Sequence, residues 1–89
     1  MREVSEEVVG QIVGKIYRDS VVDQSKNYFI KHVYTAQQFE SIVDAETFHK
    51  VIGFLPNTKY RGVPFIMGVS YNKKTKEYDI TVHNPKVKF

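Results

Sequence analysis

The chain has 89 residues, too few for two separate cores, so one domain is expected. Hydrophobic residues make up 42%, and the six Tyr and six Phe supply large burial areas, a composition suited to a packed core rather than to disorder. Cysteine is absent, which excludes disulfides and thiolate metal sites and leaves oligomerisation, such as a homodimer, as the usual support for so small a domain.

Net charge is +3, unevenly placed: five Lys or Arg against seven Asp or Glu in residues 1–45 give −2, and eight against three in residues 46–89 give +5. The basic second half suits an anionic partner. At the N-terminus the apolar runs are short and broken by Arg2, Glu3, Glu6 and Glu7, so neither a signal peptide nor a membrane span is expected, and a cytoplasmic protein without membrane contact follows.

Ser5-Glu6-Glu7, followed by Val8, Val9, Ile12, Val13, Ile16 and Tyr17, predicts a capped amphipathic helix over Glu6 to Arg18. Five β-branched residues and two glycines oppose it and leave a strand as the alternative. Gly10 and Gly14 border the apolar stripe, where missing side chains permit close approach of the domain's own sheet in preference to a dimer seam. Ser20 to Val22 is expected to add a short extended segment and Asp23 to Asn27 a turn. Tyr28 to Tyr34 then alternates as a strand.

Thr35 and Gln38 have the spacing of a capping box, which predicts a helix from Ala36 carrying Phe39, Ile42 and Val43 on one side. Asp44 caps a second run in which Phe48, Val51, Ile52 and Leu55 face inward. One bent helix or two short ones both fit, with Asp44 favouring a break. Gly53 is expected as a left-handed stop before Pro56. Asn57 to Gly62 reads as a polar connector.

Residues 63–83 predict a C-terminal β-hairpin with a definite register. Asn72 closes opposite Glu77 over the loop Lys73 to Lys76; Tyr71 meets Tyr78, Val69 meets Ile80 and Met67 meets Val82 on an apolar face, while Ser70 meets Asp79 and Gly68 meets Thr81 on the other. His83 then falls opposite Ile66. The tail, Asn84 to Phe89, alternates apolar and basic residues and would frame an edge or fray. The assembled expectation is an α+β fold: a three-stranded, largely antiparallel sheet ending in the hairpin, with helices on one face.

No sequence motif of catalysis is present: no G-x-S-x-G, phosphate loop, H-E-x-x-H or G-x-G-x-x-G. His49 has Glu46 three residues before it, an arrangement more typical of a solvated pair than of metal ligands, and His32 and His83 approach one another only if their strands pair. No catalytic residue, metal or cofactor is expected, and the protein is read as a non-enzyme. The residues best suited to contact a partner are Lys59, Tyr60 and Arg61 in the connector, Tyr71 on the hairpin beside Tyr78, and Lys73, Lys74 and Lys76 in its loop. Tyr and Arg most often carry interface energy, which favours a protein partner centred on Tyr60 and Arg61. Lysines beside aromatic rings also suit nucleic acid or a phosphate-bearing nucleotide, the alternative partner. In texture the short, Lys- and Tyr-rich chain resembles small accessory proteins encoded by phages of AT-rich bacteria, a resemblance that implies inhibition or regulation of a larger partner and assigns no residue a role.

Overall fold

The computed structural model describes residues 5–87, so the positions of Arg2 and Glu3 and the end of the tail, residues 88–89, lie outside the description. Helix α1, Glu6–Val21, starts where its cap dictates: the Ser5 side chain accepts a hydrogen bond from the Val8 N–H at 3.3 Å, and Glu6 and Glu7 occupy the first turn. It runs past the predicted end, so Ser20 and Val21 are helical rather than extended. The cause is tertiary. Ser20 is fully buried, its hydroxyl donates to the Ile16 carbonyl at 2.8 Å, and its oxygen lies 2.8 Å from His32 Nε2.

Strand β1, Phe29–Tyr34, is followed by a single 3-10 turn, Ala36–Phe39, and then by helix α2, Ala45–Ile52. Gln38 accepts from the Thr35 N–H at 2.7 Å as the capping box requires, yet the expected helix ends after this one turn. Asp44 makes the break, with an extended backbone and a carboxylate that accepts from the Thr47 N–H at 3.1 Å and its hydroxyl at 2.6 Å. These bonds hold the Asp44 carboxyl below its ordinary pKa. Gly53 is not left-handed: its φ is −68°. The chain instead continues right-handed into a second 3-10 turn, Leu55–Asn57, because Leu55 must reach the core, where it is fully buried.

The predicted polar connector is itself a small hairpin. Strands β2, Lys59–Tyr60, and β3, Val63–Pro64, form a separate two-stranded sheet, so Val63 belongs here and the long hairpin begins at Ile66. That hairpin consists of β4, Ile66–Asn72, and β5, Glu77–His83, and β5 is central in the antiparallel order β1-β5-β4. The expected register holds from Asn72↔Glu77 to Gly68↔Thr81, then a bulge intervenes and Ile66, not Met67, faces Val82. On the β4 side His83 therefore lies beyond Ile66 and not opposite it, its backbone N–H donating to the Phe65 carbonyl at 2.9 Å, and on the β1 side it pairs with Phe29. The bulge turns Ile66 into the core opposite Val82 in place of Met67, which is left 46% exposed.

One sheet face carries Ile30, Tyr34, Ile66, Tyr78, Ile80 and Val82, and α1 and α2 close over it with Ile12, Val13, Ile16, Phe48, Val51 and Ile52. The other face carries Phe29, Lys31, Val33, Ser70 and Asp79, with Lys31 and Asp79 paired at 3.4 Å. No helix among the described residues is long and apolar enough to cross a membrane.

Buried Tyr34 donates its hydroxyl to Asp19 Oδ2 at 2.7 Å. Burial first, then the hydrogen bond and charge of Asp19, push its pKa well above the ordinary 10.0; burial and then Tyr71 push that of Tyr78 in the same direction. A raised tyrosine pKa stabilises the fold below the unfolded value and is lost as pH rises beyond it. Denaturation midpoints should therefore fall above pH 10.0, each retained proton contributing a slope of about 1.4 kcal/mol per pH unit. Tyr34→Phe should flatten that slope by one proton, and an unchanged slope would refute the assignment.

Candidate functional site

Two positive φ angles locate the site. Arg61 at 55° and Gly62 at 81° are the two central residues of the β2–β3 turn, the backbone of a type I′ hairpin. Gly62 adopts this conformation freely. For Arg61 the left-handed region costs about 1–2 kcal/mol, and Asn is the residue ordinarily found in such a position. The turn therefore holds an arginine that its own geometry does not favour.

What the turn achieves is placement of the guanidinium. Arg61 Cζ lies 5.3 Å from the centre of the Tyr60 ring and 5.8 Å from that of Tyr17 on α1, both within cation–π range. The two rings are 5.0 Å apart, and Tyr17 rests in turn on Phe65 at 5.2 Å, which anchors the group to the core. Tyr60 and Arg18 close over the helix at Gly14. A Cβ there would stand 3.7 Å from the Tyr60 hydroxyl and 3.4 Å from Arg18 Nη1, ordinary contact distances, so the ring and a second guanidinium meet at this position without requiring glycine. Gly14 is buried under them, whereas Gly10 has only open space around it.

Arg18 and Arg61 are exposed, and neither has a carboxylate within ion-pair distance among the described residues. The nearest acid on α1, Asp19, is occupied by Lys15 at 3.7 Å and by the Tyr34 hydroxyl. Beside Arg18 an open cleft runs between α1 and the first 3-10 turn, lined by Gln11, Lys15, Asp19, Gln38, Ser41 and Ile42. Lys15 and Asp19 are paired with one another within it, so the cations left without an acid partner are the two guanidinium groups beside the cleft.

Of the residues expected to contact a partner, Lys59, Tyr60 and Arg61 fall together here. Lys73, Lys74 and Lys76 do not. They occupy the tip of the β4–β5 hairpin, whereas Phe65 adjoins the other end of β4, and the seven-residue strand between spans roughly 20 Å. The tip is shaped by Asn72, whose side chain accepts from the Lys74 and Thr75 N–H groups at 2.9 and 3.3 Å, with Lys76 left-handed at φ 59°. Tyr71 is partly exposed, but its ring is engaged by Tyr78 at 4.5 Å and by His49 at 5.3 Å. Tyr78 is buried, and its hydroxyl bonds His49 Nδ1. Tyr78 thus offers no ring face to a partner, and Tyr71 is exposed but engaged by two neighbours.

The histidines are similarly absorbed. Glu46 pairs with Lys50 at 3.3 Å while His49 turns to Tyr78; His32 and His83 lie on paired strands but face Ile80 and Phe29. No group of three potential metal ligands gathers among the described residues.

Sequence reasoning named Tyr60 and Arg61 as candidates to contact a partner and did not name Tyr17 or Arg18, which the fold brings beside them. The available signal was the i, i+4 pair Gly14 and Arg18, adjoining Tyr17, and a Tyr-Arg-Gly-Val run compatible with a two-residue turn. Comparison of the chain with known families, with curated proteins and with solved structures returns no match.

Proposed function

We propose that this is a non-enzymatic binding protein, acting in the cytoplasm through surface contacts on a larger protein partner that it inhibits or regulates. The observation that carries this reading is Arg61: a guanidinium held over two tyrosine rings by an unfavourable backbone conformation, exposed and without a carboxylate partner. Strain of this kind is retained where a side chain is needed in place; the two cation–π contacts, about 0.5–1 kcal/mol each, offset it, and they hold the guanidinium with its N–H donors free for a partner. Arginine and tyrosine, desolvated together at the centre of an interface, are the types that supply most binding energy.

The lysine tip favours nucleic acid as the second reading, since three lysines project from one turn. Against it, base stacking needs free ring faces, and of the two tyrosines nearest the tip Tyr78 is buried while Tyr71 is in contact with Tyr78 and His49.

Affinity capture from the native source tests both readings. Arg61→Asn suits the type I′ turn, so it should fold at least as stably as the parent while losing captured proteins. Lys73→Ser, Lys74→Ser and Lys76→Ser combined should retain them. Capture unaffected by Arg61→Asn would overturn the assignment of this face.

A further inference from the structure

We propose that the ligand of this face is an acidic protein segment, whose carboxylates are taken by Arg61 and Arg18, the two exposed guanidinium groups beside Gly14 that have no carboxylate partner among the described residues. This inference rests on the binding reading above and gives it a chemistry. The residues form a continuous track. At 3.6 residues per turn, Tyr17, Gly14, Arg18, Gln11 and Lys15 follow one another around α1 within less than half its circumference. The Tyr60 and Arg61 hairpin bounds the first end, and the cleft beside Gln38 and Ser41 bounds the other. Gly14 is buried beneath Tyr60 and Arg18, so both guanidinium groups stand at the surface above it, open to a chain lying across them.

The chemistry selects carboxylates carried by protein. A guanidinium bonds a carboxylate through two parallel N–H donors, and stacking on Tyr17 and Tyr60 fixes the plane of Arg61 without consuming those donors. Gln11, Gln38 and Ser41 add neutral donors and acceptors suited to a peptide backbone. Nucleic acid fits this track less well. The faces of Tyr17 and Tyr60 are occupied by one another, by Phe65 and by Arg61, so the bases would have nothing to stack on. Among the described residues the other dense group of cations lies a strand length away, at the hairpin tip, and does not extend the track. Phosphate contacts alone would remain.

The test uses the whole chain and two probes of equal charge: a fluorescent peptide of alternating Glu and Ser, and a fluorescent single-stranded oligonucleotide. Both are titrated at about 150 mM salt, where long-range attraction between exposed charges is largely screened. The peptide should saturate, shifting the amide resonances of Gly14, Tyr17 and Arg61. Arg61→Asn and Arg18→Gln should each weaken it about tenfold, the loss of one charge-assisted bidentate contact. Combined Lys73, Lys74 and Lys76→Ser should leave its affinity unchanged. Arg18→Gln lies on an exposed helix surface and Arg61→Asn in a turn that favours Asn, so folded spectra are expected for both and serve as the control. Tighter binding of the oligonucleotide than of the peptide, or peptide binding indifferent to Arg18→Gln, overturns the inference. Competition separates this from failure of the reading beneath it. Captured partners lost in Arg61→Asn but not displaced by the peptide refute the acidic ligand while the face stands; captured partners retained in Arg61→Asn refute the face itself.

Discussion

Phe48→Ala should remove about 3–5 kcal/mol of stability, enough to leave a domain of this size largely unfolded near room temperature. Phe48 is fully buried at the point where three segments meet. It stacks on Phe39 with ring centres 4.6 Å apart and planes 16° from parallel, and it meets Tyr78 edge-on at 5.2 Å. Phe39 continues the row to Tyr34 at 5.2 Å, so a single line of rings joins β5, α2, the first 3-10 turn and β1. Truncation opens a void that none of these neighbours can fill, because each is held from its other side: Tyr34 by Asp19 and Tyr78 by His49. Urea denaturation measures the effect, and Phe54→Ala is the internal control. Phe54 is 59% exposed, and its truncation should change stability by no more than about 0.5 kcal/mol. A Phe48→Ala loss as small as that of Phe54→Ala would show that the row of rings does not bear on stability.

The same row shows why much of this fold could be read from the sequence. Phe48, Val51 and Ile52 behind Asp44, and Ile12, Val13 and Ile16 behind Ser5, carry their burial in their spacing, and each cap is a local interaction with a local signature. Strand alternation likewise placed Tyr71 opposite Tyr78 and Val69 opposite Ile80. What escaped was decided by distant partners. Ser20 extends α1 because His32 meets it, and Leu55 draws the chain beyond Gly53 into another right-handed turn. The bulge at Met67 puts Ile66 rather than Met67 into the core opposite Val82, a shift that alternation along one strand cannot express.

Legibility of the site divides along the same line. Tyr60 and Arg61 were visible as interface types within a short run. Tyr17 and Arg18 lie more than forty residues earlier and join them only through the packing of a hairpin on a helix at Gly14. The turn itself was hidden because its first central residue is arginine. Asn-Gly at the same place would have announced a hairpin, and the substitution that obscures the structural signal is the one that points to a contact. Conversely, the lysines of the long hairpin were conspicuous in sequence yet stand apart from this group.

Asn84→Asp should destabilise more than Asn84→Ala, reversing the order that size alone would give. Asn84 is fully buried, and its side chain binds in both senses: Nδ2 donates to the Ser25 and Asn27 carbonyls, each at 2.9 Å, while Oδ1 accepts from the Lys86 N–H at 3.0 Å. Its backbone N–H also donates to the Tyr28 carbonyl. One amide thereby fastens the end of β5 to the turn that feeds β1, from the opposite end of the sequence. Alanine abandons two carbonyls and one N–H, for about 2–3 kcal/mol. Aspartate keeps the shape and the bond to Lys86 but replaces the donor with a second oxygen, so a buried negative charge confronts two carbonyl dipoles, for about 3–5 kcal/mol. The distinguishing readout is pH. Those carbonyls raise the pKa of the introduced carboxyl above its unfolded value, so the penalty is full at neutral pH and shrinks on acidification, when the protonated acid can again donate one bond. Denaturation of the two variants at about pH 7 and pH 4 should therefore show the aspartate deficit narrowing against alanine. If the gap stays constant with pH, the amide of Asn84 acts by filling space, and the two carbonyl bonds do not hold the tail in place.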